Sequence, residues 1–102
     1  MITTIVEFRL PTPMSVEQAR EVFLSTAPKY RGMPGLIRKY YWVAPDGATA
    51  GGIYLWNSRA DADAVYTDDW KAFVTDKYGS PPSIRFLESP VVVDNLSDEI
   101  VS

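Results

Sequence analysis

Apolar residues along the chain follow two alternating periods. From Ile2 to Leu10 they recur at every second place: Ile2, Thr4, Val6, Phe8 and Leu10 share one face, and Thr3, Ile5, Glu7 and Arg9 the other. That period predicts a strand with one dry and one mixed face. Pro11 and Pro13, which cannot donate to a ladder, end it. At Ser15 the spacing changes. Val16, Ala19, Phe23, Ala27 and Tyr30 recur at helical intervals and predict a buried stripe. Ser15-Val16-Glu17-Gln18 fits a capping box, the Ser15 hydroxyl accepting from the Gln18 N–H and the Gln18 side chain from the Ser15 N–H. Pro28 removes a helical hydrogen bond, so a kink or restart is expected there. Pro34-Gly35 suits the two central places of a type II turn.

From Leu36 to Val43 the period is two again. Leu36, Arg38, Tyr40 and Trp42 lie on one side, and Ile37, Lys39, Tyr41 and Val43 on the other. Asp46-Gly47 gives the turn chemistry of a hairpin. The returning strand, Ala50-Gly51-Gly52-Ile53-Tyr54-Leu55-Trp56, has no polar face. Ile53 and Leu55 point one way and Tyr54 and Trp56 the other, so cover is expected on both sides. Its two glycines leave space where a ligand, an aromatic ring or another backbone could come close.

Ser58 then opens a second helical region with a short apolar face of Ala62, Val65 and Tyr66. Thr67-Asp68-Asp69 breaks it and caps a further helix, in which Trp70, Phe73, Val74 and Lys77 keep helical spacing, with Lys77 snorkelling its stem. Gly79 is a C-terminal stop and Ser80-Pro81-Pro82 an extended linker. Residues 83–93 predict a last strand split at Pro90, and residues 94–102 a polar, acidic tail.

Strand, helix, strand, strand, helix, strand is the ferredoxin-like βαββαβ order of an α+β fold. It sets a four-stranded antiparallel sheet with both helical regions on one face. The 102 residues suit one domain. The second sheet face carries apolar and aromatic side chains without cover of its own, which predicts a homodimer joined sheet to sheet.

Composition narrows the chemistry. The chain has no cysteine and no histidine. Disulfides, thiolate metal sites, a cysteine nucleophile and a Ser-His-Asp arrangement are all excluded, as is a histidine-ligated haem. Net charge is -3 with no basic cluster, so no nucleic-acid partner is expected. No apolar run reaches the length of a membrane span, and the first residues do not resemble a signal peptide. The expectation is a cytoplasmic protein with no membrane partner. Asp61, Asp63, Asp68 and Asp69 are closely spaced but do not match a calcium loop; they fit a solvated acidic helix start, and no metal is expected.

Pro34-Gly35 and above all the glycine-led strand Ala50–Trp56 carry a resemblance to the dimeric α+β barrel proteins, and more narrowly to the YdhR-type mono-oxygenases. The helix start at Ser58–Tyr66 and Val91-Val92-Val93-Asp94 are weaker matches. The resemblance implies a pocket between sheet and helices, lined by Tyr40 or Tyr41, Trp42, Tyr54, Trp56, Tyr66, Trp70, Phe73, Tyr78 and Phe86, that suits a small hydrophobic, aromatic or polyketide-like substrate. It also implies oxygenation without a cofactor, in which a substrate anion passes an electron to dioxygen. The protein must then favour that anion and exclude water.

Arg38, Arg85, Lys39 and Asn57 are candidates for holding the anion, and Asp69, Glu7 or a tyrosinate for removing the proton. Each has a structural counter-reading. The strand arginines could pair with Glu7 or Glu88, Asp69 could belong to a cap, and the rings could simply fill the core. Two other functions fit the same pocket: a non-catalytic or stress-related ligand-binding protein, and an isomerase or cyclase working by acid-base chemistry alone.

Overall fold

The computed structural model describes residues 1–102. Strand β1 (Ile2–Arg9) leads through helix α1 (Val16–Tyr30) to the hairpin of β2 (Leu36–Val43) and β3 (Thr49–Trp56). Helices α2 (Arg59–Val65) and α3 (Asp68–Tyr78) then lead to β4 (Ser83–Glu88), and β5 (Val92–Asp94) and β6 (Glu99–Val101) close the chain. The four long strands form one antiparallel sheet in the order β2-β3-β1-β4. This is the ferredoxin-like α+β arrangement, with β1 and β3 at its centre.

Local chemistry accounts for the helices. Ser15 and Gln18 form the expected capping box. Thr67 accepts from the Trp70 N–H at the start of α3, and Gly79 ends that helix at φ 90° in the left-handed region. Helix α1 does not restart at Pro28; it continues to Tyr30. Pro28 lies in the last turn, where one missing N–H leaves little helix to disturb. The buried face of α1 is Ala19, Phe23, Thr26 and Tyr30, whereas Val16, expected in the stripe, is 66% exposed. Val16, the first helical residue, borders the open groove between α1 and β2.

The register fixes the faces. Ile2, Thr4, Val6 and Phe8 lie opposite Trp56, Tyr54, Gly52 and Ala50, and this set is buried under the helices. In β2, Lys39, Tyr41 and Val43 lie opposite Tyr54, Gly52 and Ala50, so they too face the helices. A bulge between Leu36 and Arg38 breaks the alternation expected for β2. It sets Leu36 opposite Trp56 and against the core, away from Arg38, Tyr40 and Trp42. The glycines serve two purposes. A Cβ on Gly51 would collide with the Val6 carbonyl oxygen, and one on Gly52 would lie 2.8 Å from Tyr54 Cε1 and 3.2 Å from Lys39 Cε. Gly51 thus admits a neighbouring backbone, and Gly52 admits a ring and a lysine stem.

Two expectations for the C-terminal part change. The strand from residue 83 stops at Glu88, and beyond Pro90 the chain leaves the sheet. Residues 94–102 are not a plain tail: β5 and β6 pair as a small hairpin. Asp94 nucleates its turn by accepting from the N–H groups of Leu96 and Ser97. Leu96 and Ile100 are 90% and 74% exposed. The helix-free sheet face holds Ile5, Ile53 and Leu55, half-buried, with Tyr40 and Leu87 exposed. Over part of it stand Val92 and Val93, which bound a recess of about 180 Å³ with Thr3, Arg38, Tyr40, Ile53 and Leu55. No helix is long and apolar enough to cross a membrane.

Candidate functional site

The space between sheet and helices contains one polar group that packing alone does not explain. Lys39 points from β2 into the layer below α1 and α3. Its Nζ lies 3.3 Å from the ring centroid of Tyr30, 3.8 Å from that of Tyr41 and 4.6 Å from that of Tyr54. It has no carboxylate partner; the two ion pairs of the chain are Arg38–Asp94 and Arg59–Asp63. Around it lies a cavity of about 20 Å³, room for roughly one water molecule. Val6 and Phe8 of β1, Thr26 and Tyr30 of α1, Tyr41 of β2, Gly51, Gly52 and Tyr54 of β3, and Trp70, Phe73, Val74 and Tyr78 of α3 complete its lining. Phe73 is the exposed member of this set, at 40%.

The walls are held by hydrogen bonds as well as by rings. The Trp70 indole N–H donates to the Tyr30 hydroxyl at 3.0 Å, and the Thr26 and Tyr41 hydroxyls are 2.8 Å apart. Phe8 stacks on Tyr78 and Phe23 on Tyr41. Behind this shell, the Trp56 indole N–H donates to Thr4 Oγ1, which also shares a 2.6 Å hydrogen bond with the Tyr66 hydroxyl. Trp56, fully buried, and Tyr66 therefore support the wall from outside the cavity.

Burial sets the charge state. It pushes the Tyr54 and Tyr66 hydroxyls well above the ordinary tyrosine range and Tyr78 to about 12. It also raises Tyr41, against a smaller lowering by the bond to Thr26. At neutral pH these phenols stay protonated, and a tyrosinate base is costly here. Lys39 moves the other way. Desolvation, with a smaller contribution from the Lys29 charge, lowers its amine to about 6. The three ring faces attract an ammonium by up to about 2 kcal/mol each when desolvated. Desolvation is the larger effect at Lys39, and the lowered value leaves the amine largely uncharged at neutral pH.

Of the residues singled out in the sequence, Tyr54, Trp70, Phe73 and Tyr78 line this cavity, and of Tyr40 and Tyr41 it is Tyr41 that does. Tyr40 is on the opposite sheet face, 52% exposed. Trp42 borders a separate groove of about 310 Å³ between α1 and β2, its indole N–H buried without a protein partner. Phe86 packs edge-on to Tyr66, with the Arg59 guanidinium 3.6 Å from its ring centroid. Arg38, Arg85, Asn57 and Asp69 do not reach the cavity.

Arg38 lies on the helix-free face, where the Tyr40 hydroxyl and Asp94 hold it charged; its ion pair is with Asp94, not Glu7 or Glu88. Arg85 is exposed on that face opposite Ile5. Asn57 is exposed just beyond β3, its backbone N–H donating to Gly35. Asp69 is exposed in the first turn of α3, and Glu7 is exposed in β1. No three carboxylates converge on a metal position: Asp61 joins the Ser58 cap and Asp63 pairs with Arg59. Sequence reasoning missed Tyr30 and Thr26 as cavity groups. Their signal was the helical spacing that put them on the buried face of α1.

Among solved structures the chain is similar to a mono-oxygenase from Streptomyces coelicolor, ActVA-Orf6, in complex with nanaomycin D. That match has 18% identity, 86% of each chain covered and a TM-score of 0.63. It is also similar to SnoaB, a cofactor-independent oxygenase from Streptomyces nogalater, at 16% identity, with 86% of this chain and 93% of that one covered and a TM-score of 0.61. A third, described as "a putative antibiotic biosynthesis monooxygenase" from Deinococcus radiodurans, shares 11% identity over 92% of this chain and 97% of that one, with a TM-score of 0.67. At these identities the likeness concerns the fold. No curated protein matches the sequence. The family model described as "Putative mono-oxygenase ydhR" matches residues 4–78, which hold every residue of the cavity lining, and the chain belongs to that family.

Proposed function

We propose that the protein is a homodimeric mono-oxygenase that oxidises a small aromatic or polyketide-like substrate in the helix-side cavity without a cofactor. The observation that carries this reading is the cavity itself: ring faces on several sides, phenol hydroxyls that remain donors at neutral pH, and no carboxylate in the lining. Such walls stabilise a substrate oxyanion by hydrogen bonding while excluding the water that would quench it. An electron passing from that anion to dioxygen, followed by recombination, turns a ring-flanked CH₂ and O₂ into C=O and H₂O. The fold shared with two Streptomyces oxygenases, one of them bound to nanaomycin D, supports the same substrate class. Because the cavity holds about one water, substrate entry requires Phe73 to swing outward. Ile5, Ile53, Leu55, Tyr40 and Leu87, which no helix covers, support the homodimer as their cover.

An oxygen electrode with a panel of anthrones and quinols tests the activity. One O₂ consumed per substrate is expected, with loss in Trp70→Ala. Quenching of tryptophan fluorescence without oxygen uptake would instead indicate a binding protein. Rearrangement of substrate without oxygen would indicate an isomerase or cyclase.

A further inference from the structure

Lys39 is half-buried between the cavity and an outer recess beside Arg31, with its amine against rings and no polar partner in the protein. It has no carboxylate partner and accepts or donates no hydrogen bond to another protein group. The ionisable groups around it are Lys29 and Tyr30 from α1, Arg31 just beyond α1, Arg38 and Tyr41 from β2, Tyr54 from β3 and Tyr78 from α3; β1 contributes only Val6 and Phe8. None of these is an acid at neutral pH. The chain has nonetheless made room for the side chain: Gly52 leaves the gap in which its Cε lies. The amine therefore rests uncharged, yet it stands against three ring faces that would welcome a proton on it.

We propose that Lys39 is the proton acceptor of this cavity, taking the hydroxyl proton of a phenolic or enolic ligand admitted on its Phe73 side. One O–H bond breaks and one N–H bond forms, and no electron leaves the pair. The products are an oxyanion and an ammonium inside the same ring cage, so the net charge of the site does not change. The ammonium then offsets the oxyanion charge in a medium where such a pair is worth far more than in water. The proposal builds on the cavity as a site for a small aromatic substrate, but it needs no dioxygen. Phe73 is the exposed wall of the cavity, with the Lys29 ammonium 4.2 Å from its ring centroid. Removing that ring leaves a hole of about the size of a phenol.

The test uses 4-nitrophenol under nitrogen, because its phenolate absorbs where the phenol does not. Wild type and Phe73→Ala are titrated in weakly buffered solution just below the free probe's pKa. Bound probe should show the phenolate band with no proton released to the medium, and Lys39→Met should lose that band. Release of one proton per bound probe would mean the amine was already charged, and would overturn the proposal. So would a bound probe that stays neutral, a band that persists in Lys39→Met, or no binding to either protein. A second measurement reads Lys39 without any ligand. The NMR signal of the carbon bearing its amine should titrate near pH 6. A midpoint in the ordinary lysine range would overturn the proposal. Because no oxygen is present, failure of the oxygenase reading leaves these results unaffected, and the reverse also holds.

Discussion

At the scale of single residues, the cost of Lys39 should be measurable. Desolvation lowers its amine to about 6 in the folded protein, below the ordinary lysine value of the unfolded chain. Between those two values the unfolded chain binds more protons, so stability rises with pH across that window. Below about 6 both states are protonated and the burial cost is fully present. Lys39→Met should therefore stabilise the fold most near pH 6, by several kcal/mol, since each unit of the lowered pKa is worth about 1.4 kcal/mol. The gain should shrink steadily toward pH 10. Urea midpoints at three pH values check this, and a pH-independent difference would contradict it. Gly51→Ala should act in the opposite direction. Its methyl group would strike the Val6 carbonyl, and separating β1 from β3 at the centre of the sheet should cost about 2 kcal/mol or more. The inward direction of Lys39 was only half legible in the sequence. Alternation grouped it with Tyr41 and Val43 and set it opposite Arg38, but alternation does not say which side the helices take.

At the scale of elements, caps and periods were legible because they are local. Ser15 with Gln18, Thr67 and Gly79 announce their helix ends by side-chain chemistry within a few residues. The bulge at Leu36 and Arg38 has no such local sign, since it depends on how β2 meets β3. The β5–β6 hairpin was missed for a related reason. Leu96 and Ile100 bury nothing, so periodicity finds no strand, and the turn depends on one side chain, Asp94, which also holds Arg38. Backbone N–H groups of Leu96 and Ser97, and then Arg38, keep the Asp94 carboxyl below its usual range. Its contribution is present above that range and is lost as pH falls through the lowered value. Asp94→Asn should speed amide exchange in β5 and β6 and leave the global unfolding midpoint nearly unchanged. A large drop in that midpoint would show that the hairpin is integral to the core.

At the scale of the whole molecule, one sheet separates two different surfaces. One side closes on the lysine cavity. The other presents Ile53 and Leu55, flanked by Tyr40 and Leu87, with only the small hairpin nearby. If a second copy covers that side, sedimentation should give a dimer, and Leu55→Glu should yield a monomer that keeps its far-ultraviolet spectrum. A wild-type monomer at high concentration would refute the homodimer. The β2–β3 register has a consequence for the cavity. Arg38 and Lys39 are neighbours in sequence on opposite sides of one strand, and the connection 44–48 sets which of them lies opposite Tyr54. That short surface loop therefore acts as a counter for the interior. One residue more or fewer in it, if it slips the β2 register so that Arg38 meets Tyr54, would exchange a titratable amine for a permanently charged guanidinium and turn Tyr41 out of the wall with it, changing the acid-base character of the site from outside it.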